Sequence, residues 1–200
     1  MWEFFTKGGV MMIPLGLCSF AAVVIIIERL LFFYFGEKDD TEGKNGIIHF
    51  LNQGKLDEVK SIILRLNSAS ARIAQAALEQ NAKDRSLLEI AIQSAGDNEV
   101  KRIQRGLGML DTIVTASPLL GLLGTVTGII RSFTALSIGG VTQATHLSLG
   151  IAEALYTTAF GLAIAIPSLF FLNFFYGIVE RRAEQLTSTC QEILTILNKG

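Results

Sequence analysis

The chain has 200 residues; half of them are apolar, 19 are glycine, 18% are charged, and the formal net charge is -1. With a mean hydropathy of +0.46, it is too apolar for an ordinary soluble domain or an intrinsically disordered chain. The slightly negative charge excludes a strongly basic nucleic-acid-binding protein. A membrane protein is the class that remains.

Three charge-free runs are both long enough and apolar enough to cross a bilayer as helices, whereas a fourth, residues 132–152, is a poor span because it is rich in polar residues and glycine. The three runs cover residues 8–27, 112–130 and 154–179 and contain 20, 19 and 26 residues. At 1.5 Å per residue, each can span a hydrocarbon core of about 30 Å. The first run continues through Glu28 and Arg29 without a small-residue cleavage pattern, so we expect a retained helix rather than a signal peptide.

The predicted fold is an all-α integral membrane protein with three transmembrane helices. Two of them are long and extend into the cytoplasm, and a helical cytoplasmic region lies between the first two spans. The predicted segments are a periplasmic amino terminus (1–9), span one (10–35), the cytoplasmic helical region (36–108), span two (109–136), a periplasmic loop (137–147), span three (148–179) and a cytoplasmic tail (180–200).

The distribution of lysine and arginine predicts the orientation. Eleven of them lie between Glu37 and Gly106, three follow Glu180, and none lies between Phe133 and Leu147. Because cytoplasmic loops carry an excess of these residues, the long region and the tail are predicted to be cytoplasmic and the amino terminus periplasmic.

The cytoplasmic region has helical periodicity, which Gly54, Asn67 and Ser68 divide into short helices. Ser86, with Glu89 three residues later, is a capping-box signature that predicts the start of a helix. From Val100 a continuous pattern of three-residue and four-residue steps predicts that this one helix reaches Leu136 and is about 75 Å long. Its apolar stripe changes from large side chains to small ones where the helix enters the membrane.

Each of the two long helices also contains a proline, Pro118 in span two and Pro167 in span three. A proline inside a helix removes one backbone donor, so each is predicted to kink its helix.

Small residues form a stripe on each of the two long helices: Gly121, Gly124, Gly128, Gly161 and Ala165. Close packing between helices of the same chain explains such stripes, and so does self-association. Because small faces on two of three helices leave little protein to cover both, we favour self-association.

Polar residues cluster in the outer half of spans two and three. Thr125 lies about 9 Å inward from Arg131, and Thr158 lies about 7.5 Å inward from Glu153, so the threonines are predicted to be nearly level. With Thr127 and Thr157 they would form a hydroxyl layer. An intramembrane carboxylate such as Glu153 commonly faces a partner, a cavity or an ion path. The alternative is an Arg131–Glu153 ion pair, with threonines bonded to their own helix carbonyls.

No phosphate-binding glycine loop, nucleophile elbow or metal-ligand spacing is present in the sequence. Cys18 and Cys190 lie far apart in different segments and predict neither a disulfide framework nor a zinc site. We therefore expect no enzymatic activity, no cofactor and no metal.

Two linked motifs resemble the MotA/TolQ/ExbB proton-channel family, in its ExbB/TolQ branch. The first is ASPLLGLLGTVTG at 116–128; the second is GIAEALYTTAFG at 150–161, followed by AIP at 165–167. The similarity covers about residues 109–176, whereas span one and the cytoplasmic region match only in layout.

The resemblance implies an inner-membrane subunit that forms a ring, commonly a homopentamer, around two copies of a single-span partner of the ExbD/TolR type. That partner would supply a titrating aspartate, and proton-motive force would drive a periplasmic protein of the TonB or TolA type. Thr125, Thr158 and Glu153 match the positions implied to line the ion path. Arg131 departs from the pattern, since it adds a positive charge at the outer mouth.

Two rival functions remain. A structural membrane scaffold would use the small faces only for assembly and would show no dependence on pH or voltage. A flagellar-type stator would generate torque, but such proteins usually have four spans and a larger, more charged cytoplasmic domain. The sequence does not decide between protons and sodium as the driving ion.

Overall fold

A computed structural model of the chain describes residues 9–35, 41–66, 68–80, 85–137 and 143–197. The described residues are helical and contain no strand, which confirms the all-α fold class. The helices are α1 (Met12–Phe35), α2 (Thr41–Asn52), α3 (Leu56–Arg65), α4 (Ala69–Glu79), α5 (Arg85–Gln104), α6 (Leu107–Ser137) and α7 (Gln143–Leu197).

Three of these helices are long and apolar enough to cross a membrane, as predicted. The qualifying stretches are Met12–Tyr34 in α1, Leu107–Thr134 in α6 and Ser148–Leu197 in α7. Helix α7 begins at Gln143, inside the segment predicted to be a loop, and it continues without a break to Leu197. The membrane boundaries and the side on which each segment lies remain predictions.

The prediction of a single helix from Ser86 to Leu136 is wrong, because the helix is interrupted at Gly106. Helix α5 ends at Gln104, and α6 begins at Leu107. Gly106 has a φ of +83°, a left-handed conformation that glycine adopts without the steric penalty of a side chain. The three- and four-residue periodicity continues across the break, which is why the pattern alone did not reveal it.

The chain divides into two compact units. The first contains the described parts of Met1–Arg29 and Gly106–Phe174, and the second contains those of Leu30–Arg105 and Phe175–Gly200. The first unit therefore holds most of α1, all of α6 and the first part of α7. The second holds α2 to α5 with the ends of α1 and α7.

The short helices of the second unit end where the sequence predicted breaks. Gly54, with a φ of +68°, lies between α2 and α3. Ser68 caps α4, since its hydroxyl accepts a hydrogen bond from the Ala71 N–H at 3.2 Å. Asn67 lies outside the described residues. Fully buried apolar side chains fill the core of this unit: Ile47, Val59, Ile73, Ile92, Phe175 and Ile193.

A buried ion pair joins α4 and α5 in the same unit. Arg72 donates from Nε and Nη2 to the two carboxylate oxygens of Glu99, at 2.5 and 2.7 Å. Arg102 adds a second guanidinium at 3.6 Å, and the Glu99 side chain is only 8% exposed. A carboxylate this buried depends on its partners, because without them its charge is neither hydrated nor paired.

We predict that Arg72→Met destabilises the protein by about 3 kcal/mol, since it leaves the Glu99 charge with only the more distant Arg102. Thermal unfolding in a mild detergent would measure the loss. The double variant Arg72→Met/Glu99→Met should recover most of it, because both charges are then absent.

The matched control is Lys44→Met, which removes a more exposed pair with Glu192 at 3.1 Å. Exposed pairs contribute about 0–1 kcal/mol, so this change should be small. Equal losses for Arg72→Met and Lys44→Met would contradict the assignment of Glu99 as a buried charge that requires its partner.

Candidate functional site

Helices α6 and α7 approach each other closely along their small residues. A Cβ atom added at Gly121 would lie 3.0 Å from both the Thr157 carbonyl oxygen and the Thr158 Cα. At Gly161 it would lie 2.5 Å from the Ser117 carbonyl oxygen, and at Gly124 it would overlap the Thr157 side chain. Glycine is therefore required at these positions because the backbone or side chain of the other helix occupies the space.

The contact continues toward the end of α6 and the start of α7. A Cβ at Gly128 would lie 2.9 Å from the Gly150 carbonyl oxygen, and one at Gly150 would overlap the Ser132 hydroxyl. Ala165 and Ala154 are also buried on this side of α7, with exposed fractions of 6% and 3%.

These contacts correct one argument made from the sequence. The glycine stripes were expected to remain uncovered within one chain, but the stripes of α6 and α7 cover each other. Close packing within the chain, the alternative reading of the pattern, explains the glycines. Self-association remains a prediction, and it must rest on other surfaces.

The two prolines lie inside α6 and α7, as the sequence indicates. Beside them, the buried serines Ser117 and Ser168 each donate to the carbonyl four residues earlier, Ile113 and Ile164, at 2.7 Å. The kinks predicted for Pro118 and Pro167 remain predictions.

The threonine hydroxyls differ in what they bond. Thr125 donates to the Leu122 carbonyl of its own helix at 2.6 Å, and Thr157 donates to Ala154 in the same way at 2.8 Å. Thr158 instead donates across the helix contact to the Gly121 carbonyl at 3.0 Å. Gly121 and Leu122 are consecutive residues, so the hydroxyls of Thr125 and Thr158 bond to carbonyls only about 1.5 Å apart along α6.

These threonines also differ in burial. Thr157 is 1% exposed and fills the space beside Gly124, whereas Thr125 and Thr158 are half-buried. Thr157 is therefore fixed by packing, and the other two hydroxyls retain some access from outside the chain.

Glu153 and Arg131 form an ion pair. The Arg131 Nη1 donates to the Glu153 Oε1 at 2.9 Å, and the side chains are 55% and 24% exposed. They are the only lysine, arginine, aspartate or glutamate residues between Thr112 and Val179. The pairing considered as an alternative from sequence is thus present in the single chain, and it leaves this end of the α6–α7 pair with no net charge.

Sequence reasoning did not include Gly9 in the site. This residue has a φ of +64°, and a Cβ on it would overlap the Oε1 atom of Glu153. The turn that precedes α1 therefore lies against the ion pair. The available sequence signal was the Gly8-Gly9 dipeptide at the start of the first apolar run, which does not indicate what the turn contacts.

Within the described residues, no group of three or more His, Cys, Asp or Glu side chains is placed to hold a metal ion. The polar groups at the α6–α7 contact are hydroxyls, one carboxylate and one guanidinium. The hydroxyls and the carboxylate can bind water and take part in a proton relay, whereas the guanidinium can only donate hydrogen bonds.

Residues 65–188, more than half of the chain, match the MotA/TolQ/ExbB proton channel family. The chain belongs to this family. The match includes α6 and most of α7, and it confirms the resemblance inferred from the two motifs. Together with the three apolar helices, family membership makes the chain a multi-pass inner-membrane protein.

Individual relatives support the ExbB/TolQ branch of the family. The chain is 33% identical over 177 residues to the ExbB-like 3 protein of Synechocystis sp., with 88% of this chain and 84% of that protein covered. It is 34% identical over 169 residues to the biopolymer transport protein exbB1 of Vibrio cholerae, with 80% and 72% covered. It is 37% identical over 111 residues to the Tol-Pal system protein TolQ of Haemophilus influenzae, with 54% and 48% covered.

We predict that Gly161→Ala weakens the α6–α7 contact by about 1–3 kcal/mol, because the added methyl group meets the Ser117 backbone, which cannot move as a side chain can. Thermal unfolding in detergent would measure the loss. Gly177→Ala in the same helix is the matched control, since a Cβ there meets nothing within 4 Å. A Gly161→Ala protein as stable as Gly177→Ala would contradict the proposed contact.

Proposed function

We propose that the chain is the ring-forming subunit, most simply a homopentamer, of an inner-membrane motor driven by proton-motive force. With a single-span partner of the ExbD/TolR type, it couples proton flow to mechanical work on a periplasmic protein of the TonB or TolA type. The work serves import across the outer membrane or envelope integrity. The relatives named as biopolymer transport and Tol-Pal proteins support this assignment.

In this proposal, the amino terminus faces the periplasm, and both the region between spans one and two and the carboxyl terminus are cytoplasmic. The excess of lysine and arginine in those segments supports the orientation. The Thr125–Thr158 layer and the Glu153–Arg131 pair then lie in the periplasmic half of the membrane.

The observation that carries the function is the placement of the Thr125 and Thr158 hydroxyls on neighbouring carbonyls of α6. A hydroxyl donates one hydrogen bond and accepts two, so both groups can hold water while they donate to the backbone. A chain of such waters can relay a proton through an otherwise apolar span, and Glu153 extends the polar surface toward the outer end. Thr157, predicted from the sequence to line the path, is only 1% exposed, so its place in this proposal is to pack against Gly124 beside the path.

The ion path needs a second wall, which supports assembly with other chains. Thr125 is half-buried and lies among the exposed side chains of Leu122, Val126 and Ile129. Other copies of the chain, the partner span and membrane lipid are the proposed neighbours of this surface. The chain supplies only Glu153 as a carboxylate between Thr112 and Val179, so the second titrating group comes from the partner.

The main alternative is a membrane scaffold that conducts no ions. The backbone hydrogen bonds of Thr125 and Thr157 and the Arg131–Glu153 pair would also suit it, because these side chains then have partners within the chain. A flagellar-type stator is the other alternative, and the ExbB and TolQ relatives disfavour it.

We predict that Thr125→Val and Thr158→Val abolish energised function while a five-membered ring persists, because valine preserves the shape and removes the hydroxyl. Proton flux into vesicles that contain the chain and its partner would measure function, and native mass spectrometry would measure the ring. Thr158→Val should also lower stability by about 1 kcal/mol, since only Thr158 bonds across the helix contact.

Thr115→Val is the matched control, because Thr115 is exposed and its hydroxyl bonds only carbonyls of its own helix, Asp111 and Thr112. It should leave both flux and ring unchanged. Full flux in the Thr125→Val/Thr158→Val double variant would refute the hydroxyl path, and a protein that remains monomeric or dimeric across mild detergents would refute the ring.

The roles of Glu153 and Arg131 can be separated by a double-mutant cycle of Glu153→Gln and Arg131→Gln. If Glu153 belongs to the ion path, Glu153→Gln should reduce proton flux by about tenfold or more with either residue at position 131. If Glu153 only balances Arg131, the double variant should recover most of the flux. We expect the first result, and near-complete recovery would assign the pair to structure alone.

A further inference from the structure

The turn that precedes α1 packs directly on the Glu153 carboxylate. The Gly9 carbonyl accepts the Met12 N–H at 3.2 Å, which forms the turn that leads into the helix. A Cβ on Gly9 would overlap Oε1 of Glu153 and would lie 3.4 Å from Nη1 of Arg131. Only the missing side chain and the positive φ of Gly9 allow this approach.

The same carboxylate oxygen makes both contacts. Oε1 accepts the hydrogen bond from Arg131 at 2.9 Å and is also the atom that the Gly9 turn approaches. Three segments that are far apart in the sequence, the start of α1, the outer part of α6 and the outer part of α7, therefore meet at Glu153.

The two contacts at Oε1 would affect the approach of a metal cation more than the approach of a proton. A hard metal cation surrounds itself with several oxygen ligands at once. Here the guanidinium takes one side of Oε1, and the Gly9 turn covers another. A metal ion would have to displace both and would then lie beside the fixed charge of Arg131. A proton needs only one lone pair and no coordination shell, so it can reach the carboxylate through water.

We propose that Arg131 and Gly9 are specificity-determining residues that keep metal cations off Glu153 while leaving it accessible to protons. The inference rests on the proposed function, because it places Glu153 on the ion path. It assigns a role to two residues that the path itself does not use, and Gly9 lies outside the part of the chain that matches the family.

The test uses vesicles that contain the full chain with its co-expressed partner. Proton flux is measured with an internal pH dye in sodium buffer and in choline buffer, and uptake of radiolabelled sodium is measured in parallel. The wild-type flux should be equal in the two buffers, with no sodium uptake.

Arg131→Gln should conduct protons in choline. In sodium, its flux should fall on the order of tenfold, or sodium uptake should appear, because the uncompensated carboxylate now attracts the cation. Arg131→Lys keeps the positive charge and should behave like the wild type.

Gly9→Ala should resemble Arg131→Gln, because its methyl group pushes Glu153 away from the guanidinium. Val10→Ala is its matched control, since Val10 is adjacent and 59% exposed, and it should match the wild type. If Gly9→Ala does not assemble, Arg131→Gln still decides the question, because it leaves the turn unchanged.

Two outcomes separate this inference from the proposed function. If the wild-type vesicles carry no proton flux with the partner present, the proposed function fails and the inference fails with it. If the wild-type vesicles carry proton flux, and the flux of Arg131→Gln is also equal in sodium and choline buffers with no sodium uptake, the proposed function stands. The selectivity role of Arg131 is then overturned.

Discussion

The close approach of the α6 and α7 backbones is the contact on which the rest of the first unit depends. In lipid, apolar side chains gain little by leaving their surroundings, so helices associate through close packing and hydrogen bonds. Glycines provide that packing along the whole contact. At one end Gly161 of α7 lies against Ser117 of α6, and at the other Gly128 of α6 lies against Gly150 of α7. The same approach brings the Thr158 hydroxyl within hydrogen-bonding distance of the Gly121 carbonyl. A wider separation of the helices would remove both the packing and the hydroxyl layer.

The glycines of α6 and α7 are buried within one chain and are therefore not available for contacts between chains. Because α6 and α7 cover each other's glycines, a ring of chains cannot be built from the same stripes. The surfaces left for other copies, the partner or lipid carry large apolar side chains, such as Leu122 and Val126 beside Thr125. In the proposed ring, such a surface would place the half-buried Thr125 hydroxyl at the edge of each subunit, where a neighbouring chain would complete the path.

The Arg72–Glu99 pair of the second unit and the Arg131–Glu153 pair of the first unit differ in burial. The Arg72–Glu99 pair is buried and bidentate, with a carboxylate that is 8% exposed, and it joins two short helices. The Arg131–Glu153 pair has a single hydrogen bond and an arginine that is 55% exposed. Separating the first pair would leave the Glu99 charge with little access to water, whereas the more exposed side chains of the second pair would be hydrated on separation. In the proposed function water must reach the Glu153 carboxylate, and the exposure of this second pair allows that.

The sequence by itself determined the all-α class, the three apolar helices, the family and the breaks at Gly54 and Ser68, because each depends on composition or on local conformational preference. It also indicated the level of Thr125 and Thr158, since helical rise converts sequence distance into depth. It did not reveal the break at Gly106, because the apolar period continues through that residue. It could not decide which surface covers the glycine stripes, or that Gly9 lies on Glu153. Those facts depend on contacts between residues that are distant in the sequence, more than 20 positions for Arg131 and Glu153 and more than 100 for Gly9 and Glu153. Only the tertiary packing of the helices creates such contacts.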